Sequence, residues 1–207
     1  MKSILPQFLS LCIAALTVLG KPIQAQQQVL VGEDIMAQQG NKVPGNNDAV
    51  YAVVPEEDQL FKVEFLEVAP TPIPTDRLFF VYLRGYVRES KKTELALADR
   101  ALTDATFEIG ASVIYEDGGH DDEKSYTFPL KTTSFNNNAH ITIRDARGNQ
   151  VDYLPSSGDG GILVDYWIPS TFMKSGTWTF SVDARLGDKN STCLFAMSLT
   201  QWLEGRL

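Results

Sequence analysis

The sequence predicts an all-β fold, a sandwich or barrel of antiparallel strands, and three observations carry that expectation. Apolar and polar residues alternate with period two over most of residues 60–203. Short apolar segments recur at regular intervals, separated by Gly-, Asn- and Pro-rich turns. The alternation gives each strand one apolar and one polar face, as in antiparallel sheets with one side wet.

The elements follow in order. Val50–Val54 is a candidate short edge strand. LFKVEFLEVA at 60–69 alternates apolar and charged residues, as a half-buried strand does. Three prolines in PTPIPTD, 70–76, end that ladder and force an extended crossing. RLFFVYLRGYV, 77–87, is a second, aromatic-rich strand. ESKKTELALADRALTD, 89–104, is the one helical island, with Leu95, Ala98 and Leu102 at helical spacing, and reads as a surface insertion between strands. ATFEIGASVIYE (105–116) and SYTFPLK (125–131) are strands around a turn, DGGHDDEK, at 117–124. HITIRD (140–145) lies between turns at 136–140 and 146–150. GILVDYWIP (161–169), GTWTFSVDARL (176–186) and TCLFAMSLTQWL (192–203) complete the set.

Ahead of the strands, Met1 to Leu19 carries one early positive charge, Lys2, and then an apolar run. It is shorter than the ~20 apolar residues of a membrane span and reads as a signal peptide, with cleavage expected after Ala25. Residues 1–25 are therefore assigned to the signal peptide, 26–58 to a polar, partly ordered leader, and 59–207 to the β-domain. A secreted, extracellular protein is expected, or one of the vacuolar or endomembrane lumen. The sequon Asn190-Ser191-Thr192 suits that compartment and makes Asn190 a candidate glycosylation site. A formal net charge of −8 argues against nucleic acid as a partner, and no later segment offers stable membrane insertion.

Chemistry-bearing clusters are few. GGHDDE places His120 beside Asp121, Asp122 and Glu123, but neighbours in a glycine turn do not converge on a metal without distant partners. Ser156, Ser157 and Asp159 lie in LPSSGDGG, which lacks a nucleophile elbow around a serine. Nothing selects Asp165 and Glu108 as a catalytic carboxylate pair. Neither an enzyme nor a cofactor is expected.

Three passages resemble the ML lipid-recognition domain family, and most nearly the secreted fungal phosphatidylglycerol/phosphatidylinositol transfer proteins. KVPGNN (42–47) resembles the family's opening Val-Pro-Gly-Asp/Asn-Asn. Residues 60–87 resemble its strand, proline-rich crossing and second strand ending near a glycine. IPSTFMKSGTWTFSVDARLGDKNSTCLFAMSL (168–199) resembles its ending, with a Thr-Cys-Leu strand at Thr192-Cys193-Leu194. The resemblance implies an immunoglobulin-like antiparallel sandwich whose sheets part at one edge to hold a lipid tail or sterol, without covalent chemistry. Each methylene buried in such a slot contributes ~0.8 kcal/mol. The candidate lining, chosen as inward-facing large apolar residues, is Phe65, Phe80, Tyr82, Phe107, Ile109, Val113, Phe128, Leu163, Tyr166, Trp178, Phe180 and Phe195. Ordinary sandwich core is the competing reading of each.

The chain departs from that pattern in its cysteines. The family carries several disulfides, one of them tying the last strand to the N-terminal segment; here Cys193 stands alone in that strand, and the expected partner position falls near Tyr51. Leu154 occupies another expected cysteine position. Cys193 is thus expected to be a free thiol, buried as a small hydrophobe, with pairing between chains as the alternative. The loss of staples worth ~2–4 kcal/mol each also leaves open a second function: a secreted adhesion or interaction module with a filled core, contacting its partner through 88–104 or the loops 117–123 and 155–161.

Overall fold

The computed structural model describes residues 41–136, 139–187 and 192–206. The signal-peptide segment, the first part of the leader and the sequon residue Asn190 lie outside the described residues. Among the described residues no helix is long and apolar enough to cross a membrane.

Two sheets form an all-β sandwich. Among the described residues twelve strands are numbered in chain order: β1 (Gly45–Asn46), β2 (Val50–Tyr51), β3 (Phe61–Ala69), β4 (Leu78–Val87), β5 (Ala105–Tyr115), β6 (His120–Pro129), β7 (Thr133–Asn136), β8 (Ala139–Asp145), β9 (Gln150–Val151), β10 (Asp159–Trp167), β11 (Gly176–Leu186) and β12 (Cys193–Leu203). One sheet runs β1-β3-β4-β10-β8-β7, with β9 beside β8; the other runs β2-β12-β11-β5-β6. All pairings are antiparallel except β1 with β3.

The regions flanking the strands differ from expectation in three places. The folded unit takes in the second half of the leader: Val43, Ala49 and Tyr51 are buried in the core, and β1 and β2 extend the two sheets. Asn47 fixes this segment by donating to the Leu66 carbonyl at 2.9 Å while its Oδ1 accepts from the Ala49 amide. The helical island is broken. Helix α1 covers Glu89–Glu94, Ala96 has φ +49°, and a 3-10 turn at Asp99–Asp104 follows, with Leu102 anchoring it in the core. The turn predicted at 117–124 is shorter, because β6 begins at His120. Its acidic residues lie on a sheet edge, where charge protects an exposed strand from pairing with another chain.

The core divides into two clusters. The larger gathers Val63, Leu66, Leu83, Phe107, Ile143, Ile162, Ala184, Leu194 and Phe195 among others. The smaller, at the other end of the strands, contains Val68, Ile73, Phe79, Ile168, Met173 and Leu203. Gly85 permits the close approach of β3 and β4 in the larger cluster: a Cβ there would stand 2.0 Å from the Lys62 carbonyl oxygen.

Candidate functional site

Between these clusters the facing surfaces of the sheets are apolar but only partly buried. Val81 of β4 and Val164 of β10 are half-buried, as are Trp178, Phe180 and Val182 of β11 and Leu199 of β12. Val81 and Leu199 pack against both clusters, so they mark the level where the core changes from one to the other.

Cross-strand register shows how this level opens. In the five-stranded sheet, Phe195, Ala184, Phe107 and Phe128 stand side by side across β12, β11, β5 and β6. That row is sealed, with Phe107 at 5% exposure and Ala184 at 0%. Phe128 meets Phe107 at 5.7 Å between centroids and Phe135 of β7 at 5.0 Å, so aromatic rings close the gap between the outer edges of the two sheets. The next inward-facing row is Met197, Val182, Ile109 and Tyr126. There exposure climbs across the sheet, from 8% at Met197 to 37% at Ile109 and 66% at Tyr126. The row after that is Leu199, Phe180, Ala111 and Lys124. The result is a band of inward-facing apolar residues, here termed the slot, whose exposure rises toward the β6 edge.

Trp178 and Phe180 stack at one end of the slot, with ring centroids 6.2 Å apart and planes within 13°. The Trp178 indole N–H is buried without an acceptor among the described residues. A buried donor of that kind carries a desolvation cost that an oxygen-bearing ligand would offset.

The twelve residues expected to line a slot separate into four groups. Ile109, Trp178 and Phe180 face inward and keep part of their surface open to solvent. Phe107, Val113, Phe128 and Phe195 face inward on the same sheet; Phe107, Val113 and Phe195 are fully buried, and Phe128 belongs to the sealed row. Tyr166 faces inward at the end of β10, edge-on to Phe79 at 6.0 Å. The remaining four, Phe65, Phe80, Tyr82 and Leu163, project from the opposite, outer face of the seven-stranded sheet. Register places Tyr82 beside Leu163, and Phe80 beside Asp165. Phe65 lies under the Arg84 guanidinium, 5.9 Å from its ring centroid, and Phe80 is 44% exposed. Their inward assignment is corrected by the strand phase. Sequence reasoning missed Val81, Val164, Val182 and Leu199; the strict alternation of SVDAR held the signal for Val182.

Other candidates do not converge. Asp165 lies on the outer face of its sheet, with its Oδ2 2.6 Å from His140 Nδ1, and Glu108 lies on the outer face of the other sheet. His120 is 3.9 Å from Asp122 on an exposed edge. Among the described residues no group of three or more His, Cys, Asp and Glu side chains could hold a metal ion. A polar recess of about 470 Å³ beside α1 is lined by Glu56, Glu57, Lys62, Tyr86, Arg88, Glu89 and Ser90. Within it Arg88 and Glu56 pair at 2.9 Å.

Cys193 is a buried, free thiol. Burial, reinforced by the neighbouring Asp183 carboxylate, pushes it up to about 12, so it stays protonated and unreactive near neutrality. Tyr51 pairs with β12 opposite Met197 rather than Cys193. Its phenol too is pushed up to about 12, by burial and then by Glu56.

No family model and no curated protein matches the chain. Among solved structures the chain is similar to astrotactin-2, titled a conserved vertebrate-specific and perforin-like membrane protein involved in neuronal development, at 13% identity and a TM-score of 0.37. That likeness covers 74% of this chain and 23% of the astrotactin-2 chain, so this chain spans less than a quarter of its neighbour.

Proposed function

We propose that the protein is a lipid- or sterol-binding carrier that holds an apolar ligand in the slot between its sheets. One observation carries this reading: the rise in exposure from Met197 through Val182 and Ile109 to Tyr126, along a row that faces the other sheet. Apolar groups facing another sheet are the ones a sandwich ordinarily seals. Leaving them wet forfeits about 25 cal/mol for every Å² that a ligand would cover. An acyl chain or a sterol ring system recovers that term by lying against Val81, Val164, Phe180 and Val182. The resemblance to lipid-recognition domains and the signal-peptide-like N-terminus agree with a secreted carrier.

A second reading, a secreted interaction module, is favoured by a different surface. Leu78 and Phe80 are exposed on the outer face of the seven-stranded sheet, with Tyr82, Leu163 and Trp167 half-buried beside them. Native mass spectrometry of protein purified from a secreting host, followed by organic extraction, separates the two. A near-stoichiometric phospholipid, fatty acid or sterol supports the carrier. An empty protein that also refuses a fluorescent lipid and a labelled sterol refutes it and leaves the outer face as the working surface.

A further inference from the structure

The outer face of the seven-stranded sheet carries a constellation that the slot does not use. Trp167, Phe80 and Tyr82 occupy three successive outward rows along β4 and β10, and the fourth row sets Arg84, Gly161 and Arg144 side by side. Rows are about 6.8 Å apart, so the strip runs about 20 Å from Trp167 to the arginines. Tyr82 leans diagonally across Gly161, so near that a Cβ there would stand 3.1 Å from the phenol oxygen. The glycine lets the ring lie down and brings its hydroxyl to the position that Arg84 and Arg144 flank. Arg84 is braced with its Cζ 5.9 Å from the Phe65 ring centroid, and Arg144 by a bond from its Nη1 to the Gly148 carbonyl at 2.8 Å. Neither arginine forms an ion pair among the described residues. On a chain of formal net charge −8, two such guanidinium groups and a phenol around one glycine make a local anion site.

We infer that this face binds a glycan ending in an acidic sugar, its carboxylate or sulfate held by Arg84, Arg144 and the Tyr82 hydroxyl and its neutral rings stacked toward Phe80 and Trp167. The inference goes beyond the carrier reading and does not depend on the slot. Charge complementarity sets the polarity of the ligand. The cations stand at one end of the strip, whereas carboxylates border its aromatic rings: Asp165 lies beside Phe80, and Glu67 beside Tyr82. A ligand charged along its whole length, such as a polyphosphate or an anionic membrane, would bring negative charge onto those carboxylates. A sugar chain suits them. Its apolar C–H face lies against an aromatic ring, and Phe80 is 44% exposed to receive one. Its hydroxyls need acceptors at the rim of that ring, where Asp165 is oriented by His140, 2.6 Å from its Oδ2.

The test titrates sialyllactose, sulfated lactose and lactose, by calorimetry at low ionic strength, into protein purified from a secreting host. The same probes are titrated into the Arg84→Gln/Arg144→Gln double variant and into Phe80→Ala. An exposed ion pair is worth about threefold in affinity, so the double substitution should weaken the acidic probes about tenfold and leave lactose unchanged. Phe80→Ala should weaken all three about fivefold through lost stacking. The tighter of the two acidic probes tells carboxylate from sulfate. Both arginines and Phe80 are exposed, so thermal midpoints should hold. Should one fall, Tyr82→Phe removes only a hydroxyl and is expected to weaken the acidic probes about threefold. Lactose binding as tightly as the acidic probes, or no probe binding at all, overturns the inference. So does displacement of sialyllactose by polyglutamate, which would reduce the site to a charged patch. Fatty-acid uptake by the same variants should be unchanged and reports on the slot separately, so either reading can fail while the other stands.

Discussion

Two neighbouring rows of one sheet differ in a way that composition alone would not produce. Phe195, Ala184, Phe107 and Phe128 form a sealed row; one step along the same strands, Met197, Val182, Ile109 and Tyr126 form an open one. Both consist of apolar groups facing the other sheet. The sealed row is capped by Phe135 reaching across from β7 to Phe128, whereas Tyr126 is 66% exposed at the sheet edge. Closure thus depends on a cross-sheet aromatic at the edge, not on the hydrophobicity of the row. A sandwich can keep its stability in sealed levels and leave one level free for a ligand.

Substitutions should therefore separate the two rows, and the largest effect belongs to the sealed one. Phe107→Ala removes a ring that is 5% exposed and packed on Phe128. It should cost about 3–5 kcal/mol, a fall of roughly 10 °C in the thermal midpoint by calorimetry. Next comes Gly85→Ala, whose methyl would be forced against the Lys62 carbonyl and the Phe61 ring. A loss of about 2 kcal/mol in urea unfolding is expected, since backbone lies in the way. A change below 0.5 kcal/mol would mean that β3 and β4 can part there. In the open row, Ile109→Ala should cost about 1 kcal/mol or less, because much of that side chain already meets water. Equal costs for Phe107→Ala and Ile109→Ala would erase the distinction between the rows.

Two smaller effects concern groups outside the rows. Cys193 should resist iodoacetamide at pH 8 in the folded protein and react once urea exposes it, read by mass. Prompt labelling of the native state would show that the thiol is not buried. The hydroxyl and amide of Ser170, aided by Arg206, hold the Asp76 carboxyl below the usual carboxylate range. The stability contributed there is present above the unfolded pKa and is lost as pH falls through the lowered folded value. Ser170→Ala should therefore flatten the acid limb of the stability profile. An unchanged limb would assign acid sensitivity elsewhere.

The strand set was legible in the sequence because period-two alternation is a direct consequence of burying one face. GTWTFSVDARL alternates strictly and yields β11 with the right residues inward. The difficulty came where apolar residues fall on both faces. In LFFVYL the phase is ambiguous, and a slip of one residue exchanges Phe79, Val81 and Leu83 for Leu78, Phe80 and Tyr82. In β3 a bulge at Glu64 moves the phase between Val63 and Phe65. Phe61 and Val63 face inward before it, and Leu66 and Val68 after it, leaving Phe65 on the outer face. No residue pattern announces that bulge. The open level was equally illegible, since Ile109 and Phe107 are the same kind of residue in the same strand and differ only in what the other sheet places opposite them.

The most direct measurement of the slot is uptake of a naturally fluorescent fatty acid by the unsubstituted protein and by Ala111→Trp. Ala111 faces inward beside Phe180, so an indole there fills the level between the two clusters. An open slot predicts saturable, one-to-one uptake by the unsubstituted protein, and at least tenfold weaker uptake by Ala111→Trp with an equal or higher thermal midpoint. Equal uptake by both proteins, or none by either, would contradict it.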